Sequence, residues 1–291
     1  MDTAAFDHLA PRERADALAV VDAFAVAGAL DGAGRVGVAY SGGVDSALLL
    51  AVATRALGAE RVVGLLAVSP SLAADELAGA RATAAGIGAR LVEFVTHEDD
   101  DPAYRANDAD RCYHCKAELF ARISDELMDA HALDVVAYGE NADDAVAADR
   151  PGARAAREHR VLRPLATAGL GKDRVRALAR ALGLPVADKP AAPCLASRIP
   201  HGEEVTPAKL RQVEAAEAAL RRLGFSDSRV RHHGDIARIE VPVGELARFA
   251  NDEVRAAALG AIREAGFRHV TLDLAGIQSG AFTLQLVRAR G

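Results

Sequence analysis

Three cysteines stand in a chain of 291 residues: Cys112 and Cys115 in RCYHCK, and Cys194 in APCLASR. A C-x-x-C pair has three usual uses, as a redox dithiol, as part of a zinc site, or as part of an iron–sulfur site. With no fourth cysteine, zinc would need His114 or His201 to complete its tetrahedron. Three thiolates on a four-iron four-sulfur cluster would instead leave one iron open to an exogenous ligand. The odd count, together with an acidic, amphipathic N-terminal stretch that does not read as an export signal, argues against a disulfide framework.

A second constellation is AYSGGVDS at 39–46, set between RVGV and ALLLAVA. The apolar run before it has strand character and the residues after it recur at helical spacing, which predicts a strand–loop–helix junction. The first N–H groups of such a helix lack intrahelical partners and carry the positive end of its dipole, so an anion fits there. Gly42 and Gly43 let the backbone approach that anion, Ser41 and Ser46 add hydroxyl donors, and Asp45 can hold a divalent cation against phosphate oxygens. The plainer alternative is an ordinary turn with a polar cap. Two lookalikes are set aside: GAGRVG at 32–37 precedes the strand, and GLGKDR at 169–174 has Asp173 where a P-loop needs Ser or Thr. The latter reads as a loop entering a helix over 173–182.

The elements that must position these groups alternate from about residue 35 to 140. RVGVAYS, RVVGLLAVS, RLVEFV and DVVAYGE are strand-like, and the stretches after Ser46, around 74–86 and around 116–131, are helix-like. An open parallel sheet with helices on both faces follows, and ligands of such sheets bind beyond the carboxyl ends of the strands. GENADD at 139–144 lies at one such end, so Glu140, Asn141, Asp143 and Asp144 are placed at the same crevice, or else form a helix cap with first-turn carboxylates. After about residue 200, helices at 206–222 and around 252–265 with four strands, SRVRHH, IARIEV, RHVTLDL and AFTLQLVR, predict a small α+β domain with a hairpin at His233-Gly234-Asp235. Two domains are expected, 1–200 and 201–291. Alternation puts Arg229 and Arg231 on one strand face, either a solvated face or an anion site.

With 51% hydrophobic residues the chain is globular. No apolar run spans a bilayer, and a cytoplasmic location without a membrane partner is expected. A net charge of -6 counts against a nucleic-acid partner.

SGGVDS, RCYHCK, GENADD, RPGARAARE and KPAAPCLASRIPHG together resemble the LarE sulfur transferases, PP-loop ATP pyrophosphatases of nickel-pincer nucleotide cofactor synthesis. The resemblance covers nearly the whole chain. It implies an α/β PP-loop fold with a smaller C-terminal domain acting on a small-molecule nucleotide; a homo-oligomer is expected. ATP would adenylate a carboxylate of pyridinium-3,5-biscarboxylic acid mononucleotide, and sulfur would displace AMP to leave a thiocarboxylate. Some members give up the sulfur of the cysteine matching Cys194. Others carry the added C-x-x-C and hold a 4Fe-4S cluster that supplies sulfide, and this sequence has that second pattern, with Cys112, Cys115 and Cys194 as cluster ligands. Ser41, Gly42, Gly43, Asp45 and Ser46 would bind ATP, with Asp45 and Glu140 as Mg2+ ligands. Cys194, Ser197 and Arg198 would lie at the acyl centre, and Arg229 and Arg231 would take the nucleotide's phosphate. Arg150, Arg154 and Arg157 would serve similarly or only decorate a helix. A tRNA thiolase, an amidating PP-loop ligase and a noncatalytic ATP-binding or zinc-stabilised protein are the competing readings; the acidic balance opposes the first, and the second needs no cysteine trio.

Overall fold

A computed structural model describes residues 1–26, 34–146, 151–225 and 227–277. Arg150 and the expected strand AFTLQLVR at 281–288 lie outside the described residues. The chain forms two compact units. The first comprises Met1–Ser69, Ala74–Glu98 and Cys112–Ala192, and the second Pro70–Ala73, Asp99–Arg111 and Pro193–Gly291. A single cut at residue 200 does not describe this division, because two short segments from the first half of the sequence are built into the second unit.

The first unit has helix α1 (Pro11–Val26), strand β1 (Val36–Tyr40), α2 (Val44–Leu57), β2 (Val62–Val68), α3 (Ala74–Ile87) and β3 (Arg90–Val95). It continues with α4 (Arg111–Arg122, whose first residue is counted in the second unit), β4 (Val135–Tyr138), α5 (Ala142–Val146), α6 (Pro151–Glu158) and α7 (Lys172–Ala181). The strands pair in parallel in the order β3-β2-β1-β4, with Val36 opposite Val62 on one side and Val135 on the other. The chain therefore leaves β1 toward β2 and β3, then returns to place β4 on the opposite side of β1. The crevice between β1 and β4 is the switch point at which such sheets bind ligands. Helix α2 is apolar on every side, VDSALLLAVATRAL, and 12 of its 14 residues are buried. Such a helix belongs in the core; it packs on β1 and β2 and is covered by α1 and α7. Rigid burial of α2 fixes the loop at its N-terminus.

The second unit carries α8 (Pro207–Arg222), the hairpin β5 (Arg229–His233) and β6 (Ile236–Glu240), α9 (Asp252–Glu264) and β7 (His269–Leu272). β5 and β6 are antiparallel, with His233 opposite Ile236, so Gly234 and Asp235 make a two-residue turn; Gly234 takes φ +61° there, as Gly at the first central position of a hairpin turn does. β6 and β7 are parallel. α8 and α9 cover this mixed sheet through Leu210, Val213, Leu220, Ala258 and Ile262, all buried. No helix among the described residues is long and apolar enough to cross a membrane.

Candidate active site

The junction of β1 and α2 is built as expected. Gly42 takes φ +73°, and a Cβ there would stand 2.7 Å from the Cβ of Ala80, so only glycine lets the loop pass under α3. Gly43 is the N-cap of α2, and a Cβ on it would meet nothing nearer than the Ser41 hydroxyl at 3.6 Å. That leaves open space at the positive end of the helix, where an anion fits. Ser46 is buried and works inward. Its hydroxyl donates to the Gly43 carbonyl at 3.1 Å and accepts the Ser41 N–H at 3.1 Å, so it shapes the loop, while Ser41 is exposed toward solvent. Tyr40 anchors the strand end by donating to the Ala80 carbonyl at 2.9 Å, and burial raises its phenol pKa to about 12.

Asp45 is held on both oxygens. Asn141 donates to one at 3.0 Å, and the Lys172 ammonium lies 2.5 Å from the other. Asn141 also donates to Asp144 at 2.8 Å and, through its own oxygen, caps α5 at the Asp144 N–H. The GENADD loop is thus both a helix cap and a wall of the crevice. It can press this close because residue 139 is glycine: a Cβ there would stand 2.7 Å from the Ser46 nitrogen and 2.8 Å from the Asp45 carbonyl carbon. Asp143 accepts from the Lys172 N–H at 2.7 Å and fixes the start of α7. Lys172 is the residue the sequence reading missed. It lies in GLGKDR, set aside as a P-loop because Asp173 stands where Ser or Thr is needed, and the signal in the sequence was a lysine opening a helix straight after glycine.

Glu140 stands differently from its expected part as a metal ligand. Its carboxylate is buried, 3% exposed, and paired with Arg163 at 3.0 Å. Beside it the Tyr138 phenol is raised well above the usual tyrosine range, by burial first and then by Glu140. Asp45 and Asp144 are joined through Asn141, which donates to both.

All three cysteines carry thiols rather than disulfides; Cys112 and Cys194 are exposed and Cys115 is half-buried. Cys112 and Cys115 lie three residues apart in the first turns of α4, on one helix face. Between them Tyr113 donates to Glu158 at 2.7 Å, and the Arg154 guanidinium stacks 3.8 Å from its ring centre, so α6 braces the pair and Arg154 is spent on packing. Among the described residues no group of three or more His, Cys, Asp or Glu side chains is gathered to hold a metal ion. The donor chemistry suits an iron–sulfur cluster, and two of its three thiols share a helix face. His201, one suggested zinc ligand, donates from Nδ1 to the Asn107 carbonyl at 3.0 Å.

In the second unit Cys194 caps the short helix Leu195–Arg198. Arg198 is 4% exposed and makes a double ion pair with Glu217, at 2.8 and 3.1 Å, while its Nη1 reaches the Pro193 carbonyl at 2.6 Å and the Ser197 hydroxyl at 2.9 Å. Arg198 therefore holds the cysteine segment from within and is a positioning residue, where the resemblance implied a place at the acyl centre. Arg231 is likewise buried, forked onto Glu240 at 3.0 and 2.8 Å and donating to the Ser197 carbonyl at 3.0 Å. Arg229 pairs with Asp227 at 2.5 Å. The strand face that carries them is no solvated outer face.

A parallel sheet with a Ser-Gly-Gly-x-Asp-Ser loop between its first strand and a buried helix defines a PP-loop ATP pyrophosphatase domain, and residues 22–240 match the asparagine synthase family. The pyridinium-3,5-bisthiocarboxylic acid mononucleotide synthase of Lactiplantibacillus plantarum is 36% identical over 261 residues, 88% of this chain and 91% of that protein. The uncharacterized protein slr1717 of Synechocystis sp. is 43% identical over 254 residues, covering 87% of this chain and 94% of its own. The uncharacterized protein MJ0830 of Methanocaldococcus jannaschii is 27% identical over 240 residues, 82% of this chain and 89% of its own. The chain belongs to the LarE family of PP-loop proteins.

Proposed function

We propose that the protein is an ATP-dependent sulfur transferase that converts carboxylates of pyridinium-3,5-biscarboxylic acid mononucleotide to thiocarboxylates for nickel-pincer cofactor synthesis. The open N-terminus of α2 above Gly43, with Asp45 and Lys172 beside it, carries the ATP half of this reading. Kinship with the Lactiplantibacillus plantarum synthase over most of both chains supports the substrate.

A carboxylate resists nucleophiles because its oxygen leaves poorly. A substrate carboxylate oxygen therefore attacks the α-phosphorus of ATP, pyrophosphate departs, and an acyl adenylate results. Ser41 and the first N–H groups of α2 receive the phosphate oxygens, and Lys172 adds a positive charge to them. Asp45, with Asp144 next to it, would hold Mg2+, which neutralises phosphate charge. Sulfide then attacks the acyl carbon and AMP leaves. Cys112, Cys115 and Cys194 would hold a 4Fe-4S cluster, which when bound supplies that sulfide. Arg229, at the edge of β5, takes the substrate's phosphate by exchanging Asp227, while Arg231, closed by Glu240, supports the Cys194 segment.

The test is anaerobic turnover with ATP, substrate, iron and sulfide, followed by mass spectrometry of the protein. Intact Cys194 after several equivalents of thiocarboxylate, with Cys112→Ser and Cys115→Ser still forming AMP but no thiocarboxylate, is the expected result. Dehydroalanine at Cys194 after a single turnover would overturn the cluster route, and no AMP from the wild-type protein would overturn the reaction.

A further inference from the structure

Three buried arginines hold the carbonyl groups of the Cys194 segment in the second unit, and they differ in one respect. Arg198 and Arg231 each carry a forked glutamate, Glu217 and Glu240, so the positive charge of each is cancelled within the fold. The third, Arg111, is 7% exposed and donates from Nη1 to the Asn107 side-chain oxygen at 2.5 Å and to the Ala196 carbonyl at 2.9 Å. Among the described residues it has no carboxylate partner and no further hydrogen bond. A buried charge without a counter-charge is costly, and proteins ordinarily pair it.

The surroundings of Arg111 are built to hold it in place. Asn107 is fully buried in the left-handed region at φ +59°, a conformation that costs a non-glycine residue energy. Its amide donates to the carbonyls of Pro200 at 2.7 Å and Glu203 at 3.0 Å, and its own carbonyl accepts the Gly202 N–H at 3.2 Å. With every Asn107 group committed, its Oδ1 can face only Arg111. The guanidinium is thus oriented through Nη1, two residues from Cys194 by way of Ala196, and its other edge is left without a partner.

We infer that Arg111 is a substrate-binding residue whose unpaired guanidinium edge receives a carboxylate of the ligand that reacts beside Cys194. A planar fork matches a carboxylate by two parallel hydrogen bonds, which a lysine ammonium does not reproduce. This rests on the sulfur-transfer reading above. The substrate there carries two carboxylates; the one not being activated is the counter-charge that Arg111 lacks.

The experiment is calorimetric binding of pyridine-3,5-dicarboxylate and, separately, of inorganic phosphate to the full chain, for wild type, Arg111→Gln and Arg111→Lys. Dicarboxylate affinity should fall about tenfold or more in Arg111→Gln and be only partly restored in Arg111→Lys, as for loss of a charge-assisted fork. Methylguanidine added to Arg111→Ala should recover dicarboxylate binding, which a purely structural role would not predict. Unchanged dicarboxylate affinity in Arg111→Gln overturns the inference. So does wild-type protein that binds phosphate but not the dicarboxylate. If Arg111→Gln does not fold, Arg111→Lys decides: wild-type affinity in that variant refutes the fork. None of these measurements uses ATP, so they stand apart from AMP formation by the wild-type protein, which tests the reaction itself.

Discussion

Replacing Lys172 by Gln separates a structural ion pair from a catalytic charge. The Lys172 ammonium lies 2.5 Å from Asp45, with the two side chains 38% and 19% exposed. A pair this open to solvent contributes about 0.2–1 kcal/mol to stability. For a domain of this size, about 1 kcal/mol moves Tm by roughly 2–4 °C, so Lys172→Gln should melt within about 4 °C of wild type. The effect on chemistry should be far larger. Removing one preorganised donor from a charge-developing transition state costs about 10²–10³ in rate, or about 2.7–4 kcal/mol. Pyrophosphate release at saturating ATP and substrate is the assay, with Lys172→Arg as the variant that keeps the charge and recovers part of the rate. Pyrophosphate release within a few-fold of wild type would refute the reasoning and leave Lys172 as a surface counter-ion to Asp45.

Asp45→Asn should abolish Mg2+-dependent AMP formation while leaving the fold intact, and AMP formation at the wild-type rate would count against the loop assignment. Gly139→Ala places a methyl 2.7 Å from the Ser46 nitrogen, against backbone that cannot yield cheaply; a loss of about 1–3 kcal/mol in urea unfolding and a weakened KM for ATP are expected, and wild-type values for both would contradict the contact. Glu217→Gln leaves Arg198 buried without its counter-charge and should cost about 3–5 kcal/mol, checked by the urea midpoint; a change too small to resolve would mean that the pair does not hold the Cys194 segment. His232 and His233 have pKa values lowered in the folded state, by burial first. The unfolded chain therefore binds more protons below its own histidine pKa of 6.5, and stability should fall as pH drops through that value toward the lower folded one. His232→Gln should flatten the slope of Tm against pH in that window, and an unaltered slope would show that burial of His232 is not its source.

The parallel sheet was legible because its strands are short apolar runs between loops, and all four lie where RVGVAYS, RVVGLLAVS, RLVEFV and DVVAYGE place them. The nucleotide loop was legible for a related reason: its chemistry is local, and six consecutive residues carry it. What escaped depends on contacts between distant residues. Lys172 meets Asp45 across 127 positions of sequence. The segments 70–73 and 99–111 join the second unit through bonds such as Leu195 N–H to the Ser71 carbonyl and Val205 N–H to the Arg105 carbonyl, which no periodicity announces. Alternation leaves Arg231 on a face that is either solvated or an anion site, but Glu240 lies diagonally across the hairpin and takes its fork, a fact that needs the register of β5 on β6. The Cys112–Cys115 pair was read as preceding a helix beginning near 116, whereas the helix starts at Arg111 and sets both thiols on one face.

The central claim, that a carboxylate is activated by ATP and its oxygen replaced by sulfur, is tested most directly by isotope. Wild-type protein is incubated anaerobically with ATP, Mg2+, iron, sulfide and pyridinium-3,5-biscarboxylic acid mononucleotide carrying oxygen-18 in its carboxylates, and AMP and the pyridinium product are read by mass spectrometry. The account predicts one oxygen-18 transferred to AMP for each sulfur gained by the product, with Asp45→Asn giving neither. AMP without oxygen-18, or AMP formed with no sulfur in the product, would contradict it.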